Sequence, residues 1–120
     1  MENDNQTSVI RNILSLGLNP DAVVWEYFRE GIDISPIYDS KVGCSAAFIR
    51  YAPGSSVPRH EHTGYEHILI LKGAQQVGDS EYSAGDLMIS PPGSSHQIKS
   101  KSGCIVLAIW EKPVRFSDNE

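Results

Sequence analysis

The residues with the clearest capacity for chemistry are His60, His62 and Glu66, in the run Arg59-His-Glu-His-Thr-Gly-Tyr-Glu66. His60 and His62 lie two apart, so on an extended strand their imidazoles leave the same face. Thr63-Gly64 offers a bend that returns Glu66, at the start of the next strand, to their side. Two imidazoles and a carboxylate converging in this way form a donor set for a divalent transition metal. A second cluster runs from Gly85 to His96. Gly85-Asp86 turns into an apolar strand, and Pro91-Pro92-Gly93 turns out of it. His96 then falls where a returning strand can point it inward. The chain has 4 histidines, and three occupy these positions. The fourth, His67, follows Glu66 directly and belongs to the opposite face of its strand.

Strands must position these groups. Ten Gly and 7 Pro in 120 residues imply many turns and short extended segments. Candidate strands are Val23–Phe28, Ile32–Ile34 and Gly43–Tyr51. Ile68–Leu71 and Ile105–Trp110 are apolar at consecutive positions, so both of their faces should be covered. One face looks inward; the other needs a second sheet, the N-terminal segment or another subunit. The apolar positions Ile10, Ile13, Leu14 and Gly17 suggest a short helix between Thr7 and Leu18, with Ser8 as its cap. The expected organisation is an N-terminal extension over 1–22, one all-β domain over 23–116 and a tail over 117–120.

Composition removes several classes of function. A net charge of −5 with scattered Lys and Arg argues against nucleic acid as a partner. No apolar run approaches a membrane span, and the polar N-terminus lacks the pattern of a secretory signal. A cytoplasmic protein is expected. Cys44 and Cys104, sixty residues apart with no Cys-x-x-Cys, are expected to be two buried thiols. Arg59 and Glu61 alternate with the two histidines and are expected to form a solvated pair. Tyr51, Tyr65, Trp25 and Trp110 are read first as core aromatics, and any of them is a lesser candidate for lining a pocket.

The two clusters resemble the paired motifs of the cupin superfamily. Gly54-x5-His60-x-His62-x3-Glu66-x6-Gly73 matches the first, and Gly85-x5-Pro91-x-Gly93-x2-His96 matches the second. The second motif ordinarily ends in Asn after three further residues; here that position is Ser100, which puts one supporting hydrogen bond in doubt. The resemblance implies a jelly-roll-like β-barrel, usually dimeric, with His60, His62, Glu66 and His96 as metal ligands inside it. Tyr51-Ala-Pro-Gly, Tyr82-Ser-Ala-Gly-Asp, Pro91-Pro-Gly-Ser-Ser-His and Gly103-Cys are most similar to the ChrR-type cupins, over roughly residues 23–112.

Three imidazoles and one carboxylate suit Fe, Zn, Mn, Ni or Cu as a divalent ion and leave an octahedral ion two open positions. Two uses follow. An Fe(II)-dependent dioxygenase would cleave a small diketone-like or enolic substrate, as some small cupins similar to this one do. A non-catalytic, zinc-binding ChrR-like module would sense a ligand or stress. A metal-assisted isomerase is a third reading, disfavoured by the apolar Ile68 and Ile70 beyond Glu66. The 120 residues carry no His or Cys before Cys44, so direct sigma-factor binding through a zinc-binding anti-sigma domain is not expected. The expected partners are a small-molecule ligand or substrate and a second copy of the chain, paired through the face that carries Leu69 and Leu71.

Overall fold

The computed structural model of the protein describes residues 6–17, 19–40 and 43–116. After two short 3₁₀ turns, Ile13–Gly17 and Pro20–Ala22, the described chain is built from ten strands. They are β1 (Glu26–Arg29), β2 (Ile32–Asp39), β3 (Ser45–Tyr51), β4 (Ser55–Glu61) and β5 (Glu66–Val77). There follow β6 (Ser80–Ser83), β7 (Leu87–Ser90), β8 (Ser95–Ser100), β9 (Cys104–Trp110) and β10 (Arg115–Phe116). Hydrogen bonding runs in the order β1-β2-β3-β9-β5-β8-β4-β10, with β6 and β7 also paired to β5. All the described pairings are antiparallel. This is the cupin barrel, and β5 is the strand that curls it. The first half of β5 pairs with β7 and β9, and its second half with β6 and β8. The register slips between Ile70 and Lys72 as it changes sides.

Gly73, the last residue of the first motif, sits just past that slip with φ of +80°. A Cβ there would lie 2.1 Å from the Gly103 carbonyl oxygen, so no larger residue fits without moving β9. Period-two alternation builds the interior. Along β5 and β9 the opposed pairs Ile68–Ala108 and Ile70–Val106 face inward, joined by Ile32, Ile49, Val57 and Ile98 in one buried core.

The outer face of the same strands carries a smaller cluster. Phe48 and Ile105 are buried there beneath Ile13, Val23, Trp25, Leu71 and Leu107. Of the three covers open to Ile105–Trp110, the N-terminal segment supplies this one. The helix expected over Thr7–Leu18 with a Ser8 cap does not form in the described residues. Only the 3₁₀ turn Ile13–Gly17 appears, while Leu18 lies outside them. Asn12 has φ of +55°, a left-handed conformation that interrupts any right-handed helix running through it. The strand expected over Val23–Phe28 is also displaced, to Glu26–Arg29. Trp25 instead donates its Nε1–H to the Pro20 carbonyl, 2.8 Å away.

Cys104 is buried, but Cys44 is only half-buried, and both are free thiols. Arg59 and Glu61 do not pair with each other: Glu61 holds Arg115, and Arg59 donates to Ser95 Oγ at 3.1 Å. Each has a nearer partner on a neighbouring strand. Among the described residues no helix is long and apolar enough to cross a membrane.

Candidate metal centre

Each member of the histidine–glutamate group is placed by a different piece of the barrel. His60 lies near the end of β4, paired in register with His96 of β8. His62 sits just past β4, and its amide N–H bonds the Ser94 carbonyl at 2.8 Å. Glu66 begins β5 opposite Trp110 of β9. All four are buried, and one donor atom from each lies within 4.8 Å of the others. That span is nearly an ångström wider than the ~4 Å between opposed ligands of a first-row ion. His67 faces away from the group, stacked on Tyr65 at 6.4 Å.

The hydrogen bonds around the group fix which atoms face its centre. His60 Nδ1 lies 3.0 Å from the Pro58 carbonyl oxygen, and a carbonyl only accepts, so Nδ1 carries the proton. His62 Nδ1 likewise lies 3.1 Å from the Ser94 carbonyl and 2.9 Å from its Oγ. The neutral rings therefore present bare Nε2 lone pairs inward. Those atoms approach Glu66 from three sides: His62 Nε2 at 3.0 Å, His96 Nε2 at 3.3 Å and His60 Nε2 at 3.9 Å. His96 Nε2 is buried and has no hydrogen-bond partner. Lone pairs aimed at a carboxylate repel unless a cation or proton lies between them. The donor chemistry fits a divalent metal.

Electrostatics act in the same sense on His60 and Glu66. Burial pushes the His60 pKa down, outweighing the Pro58 bond and Glu66, which pull it up. Burial alone would raise the Glu66 carboxyl. The proximity of His96 and His62 and the Trp110 bond together hold it below its usual value. Neutral imidazoles and an ionised carboxylate are the forms that bind a metal.

Sequence reasoning did not single out the groups that hold these side chains. Trp110 donates its Nε1–H to Glu66 Oε2 at 2.8 Å, orienting the carboxylate from the opposite strand. Phe116 packs against His60 with ring centroids 5.6 Å apart. Ser100, where the superfamily motif has Asn, is fully buried and donates its hydroxyl to the Ala74 carbonyl of β5 at 2.7 Å. Its side chain thus ties β8 to β5. Cys104 is not among the four donors; burial raises its thiol pKa, against the pull of nearby Ser100 and Gln75.

Beside the group lies a cavity of about 300 Å³ whose wall includes His60 and Glu66. The rest is mainly apolar, with Ile68, Ile98 and Phe116 among its lining. Of the four candidate aromatics, Tyr51 and Trp110 line it. Trp25 packs on the outer cluster, and Tyr65 is exposed. Burial, then Cys104 and Glu66, push the Tyr51 hydroxyl pKa up, while Arg29 pulls it down.

Residues 15–114 match the family described as the ChrR Cupin-like domain. The chain belongs to that family. One curated relative of this ChrR cupin-like domain is the anti-sigma-E factor ChrR of Cereibacter sphaeroides, 36% identical over 66 residues. That match covers 53% of this chain and 31% of the relative, so the likeness spans under a third of the longer protein. Among solved structures, the domain is similar to a chain in the crystal structure of Rhodobacter sphaeroides SigE in complex with the anti-sigma ChrR. The TM-score is 0.66 at 26% identity, covering 74% of this chain and 49% of that one. It also shares its fold with an acetylacetone dioxygenase from Acinetobacter johnsonii. There the TM-score is 0.75 at 18% identity, over 98% of this chain and 81% of the other.

Proposed function

We propose that His60, His62, Glu66 and His96 bind one divalent transition metal and that the adjoining cavity admits a small, largely apolar ligand to it. The observation that carries this reading is the junction of the two features: His60 and Glu66 belong both to the donor group and to the cavity wall. The metal would supply Lewis acidity and a template for chelating oxygens at positions the protein leaves open. The protein's own part is orientation and exclusion of water. Pro58 and Ser94 fix the imidazole tautomers, Trp110 aims the carboxylate, and the isoleucines keep the ligand side dry. In this reading 23–116 is the functional unit, with 1–22 an extension and 117–120 a tail.

With iron as the ion, the favoured activity is oxidative cleavage of a diketone-like or enolic substrate. The fold shared with an acetylacetone dioxygenase and the apolar cavity support it. Anaerobic loading with Fe(II), followed by oxygen uptake over a diketone panel, tests it; full iron occupancy without turnover on any diketone defeats it. The second reading is a zinc-binding sensor module. The 36% identity to an anti-sigma-E factor supports it, as does the SigE complex of a structural relative. Elemental analysis of protein purified without added metal separates the two, with His96→Ala as the control expected to lose the ion. We also propose a homodimer. Leu87, Ile89 and Ile109 are exposed on the outer face, where the register joins Leu87 to Leu69 and both isoleucines to His67. Adjoining apolar side chains of this kind mark an interaction surface.

A further inference from the structure

The cavity beside the donor group follows β3. Ser45 and Tyr51, the first and last residues of that strand, both belong to its wall. Ser45 stands opposite Trp110, and Trp110 opposite Glu66, so that row marks the metal end. Tyr51 stands opposite Ile32 and Cys104, and Cys104 opposite Gly73, so its row lies at the other end of the sheet.

Polar groups are few along this wall. Trp110 commits its Nε1–H to Glu66, and Ser45 belongs to the metal end. Beyond that row the lining is apolar, with Ile32, Ile49, Val57 and Ile98 in it, and Tyr51 brings its one hydroxyl. Ile32 and Cys104, the register neighbours of Tyr51, are core residues, so its side chain leaves β3 on the interior face. Tyr51 is 4% exposed. A tyrosine buried to that degree ordinarily finds a partner for its O–H. Among the described residues none forms a hydrogen bond with this one. Burial, with Cys104 and Glu66 nearby, pushes the pKa up, so the hydroxyl keeps its proton and remains a donor.

We propose that the Tyr51 hydroxyl donates a hydrogen bond to a neutral oxygen of the bound ligand, at the end of the molecule remote from the metal donors. The near end rests on the metal reading above; the Tyr51 contact does not. The walls select the class of oxygen. A carboxylate would enter an apolar cavity whose wall already carries Glu66 and no Lys or Arg, and burying an unpaired charge is costly. An ether, ketone or ester oxygen needs only one donor, and Tyr51 offers one. The ligand is thereby narrowed to an uncharged, mainly apolar molecule with an oxygen at its far end.

Calorimetry on the zinc-loaded protein with two matched pairs of probes tests this. The pairs are 6-methoxyhexane-2,4-dione with octane-2,4-dione, and 7-methoxyheptane-2,4-dione with nonane-2,4-dione. Within each pair one methylene becomes an ether oxygen at constant length. In at least one pair the wild type is expected to bind the ether about three- to tenfold more tightly. Tyr51→Phe should abolish or reverse that preference with zinc content unchanged. Because the free hydroxyl holds nothing in place, the same variant should keep its thermal midpoint. A fall of about 5 °C or more would make the hydroxyl structural and overturn the proposal. So would ethers that bind no better than their carbon counterparts in both pairs, a preference that survives Tyr51→Phe, or no binding of any probe. The same comparison on metal-free protein keeps the two claims apart. A Tyr51-dependent preference in protein that takes up no zinc removes the metal reading alone, and full zinc loading without the preference removes the Tyr51 contact alone.

Discussion

At the scale of single residues, the candidate centre depends on side chains that never face its middle. Trp110 holds one oxygen of Glu66 and so decides where the other points. Trp110→Phe keeps the ring and removes the N–H; metal affinity is expected to fall about 10–100-fold with the fold intact, measured by competition with a chelating dye. Unchanged affinity would reduce Trp110 to a wall residue. Acid acts on the same group. The pKa of His60 lies below the usual 6.5 and that of Glu66 below the usual 4.5. In each case the unfolded chain binds the proton more readily than the folded one. Stability of the metal-free protein is therefore present above pH 6.5 and is lost as pH falls, His60 acting first and Glu66 below about 4.5. Urea midpoints at pH 7.5, 6 and 4.5 check the sign, and a midpoint that rises towards acid contradicts it. Spacing and a turn made His60, His62 and Glu66 legible in the sequence, because a strand's period is local. Trp110 was not legible in that role. Trp110 stands 44 residues from Glu66, and only the β5–β9 register brings them together.

At the scale of elements, β5 does most to shape the molecule. It begins with Glu66, lines the core with Ile68 and Ile70, and bends onto the second side near Gly73. Gly73→Ala would force a Cβ into the Gly103 carbonyl. The expected cost is several kcal/mol, above the ~1 kcal/mol typical of point mutants, and Gly54→Ala serves as a comparison where a Cβ meets nothing within 4 Å. Thermal unfolding of the two variants checks this; equal losses would leave only the shared positive φ as the cause. The apolar runs of β5 and β9 and the turns between strands announced a barrel from sequence. The N-terminal segment did not announce its form, since Asn12 adopts a left-handed backbone that no periodicity reveals.

At the scale of the whole molecule, the outer face remains divided. The N-terminal segment covers Phe48 and Ile105, while Leu87 and Ile89 stay 55% and 57% exposed, more than a solitary surface residue needs to explain. Ile89→Lys should shift the proposed dimer to monomer in sedimentation velocity at micromolar concentration, leaving metal content unchanged. A wild-type monomer under those conditions removes the dimer.

The order of strands along the chain also bears on how the protein is made. All four candidate donors lie between residues 60 and 96, whereas Trp110 on β9 and Phe116 on β10, two of the side chains that wall them in, come later. The barrel cannot close over the donors until these later strands have docked. Under the proposed metal reading, an ion would reach the donors most readily before those walls are in place. Protein translated in the presence of a metal should therefore fill faster than the finished barrel exposed to it afterwards.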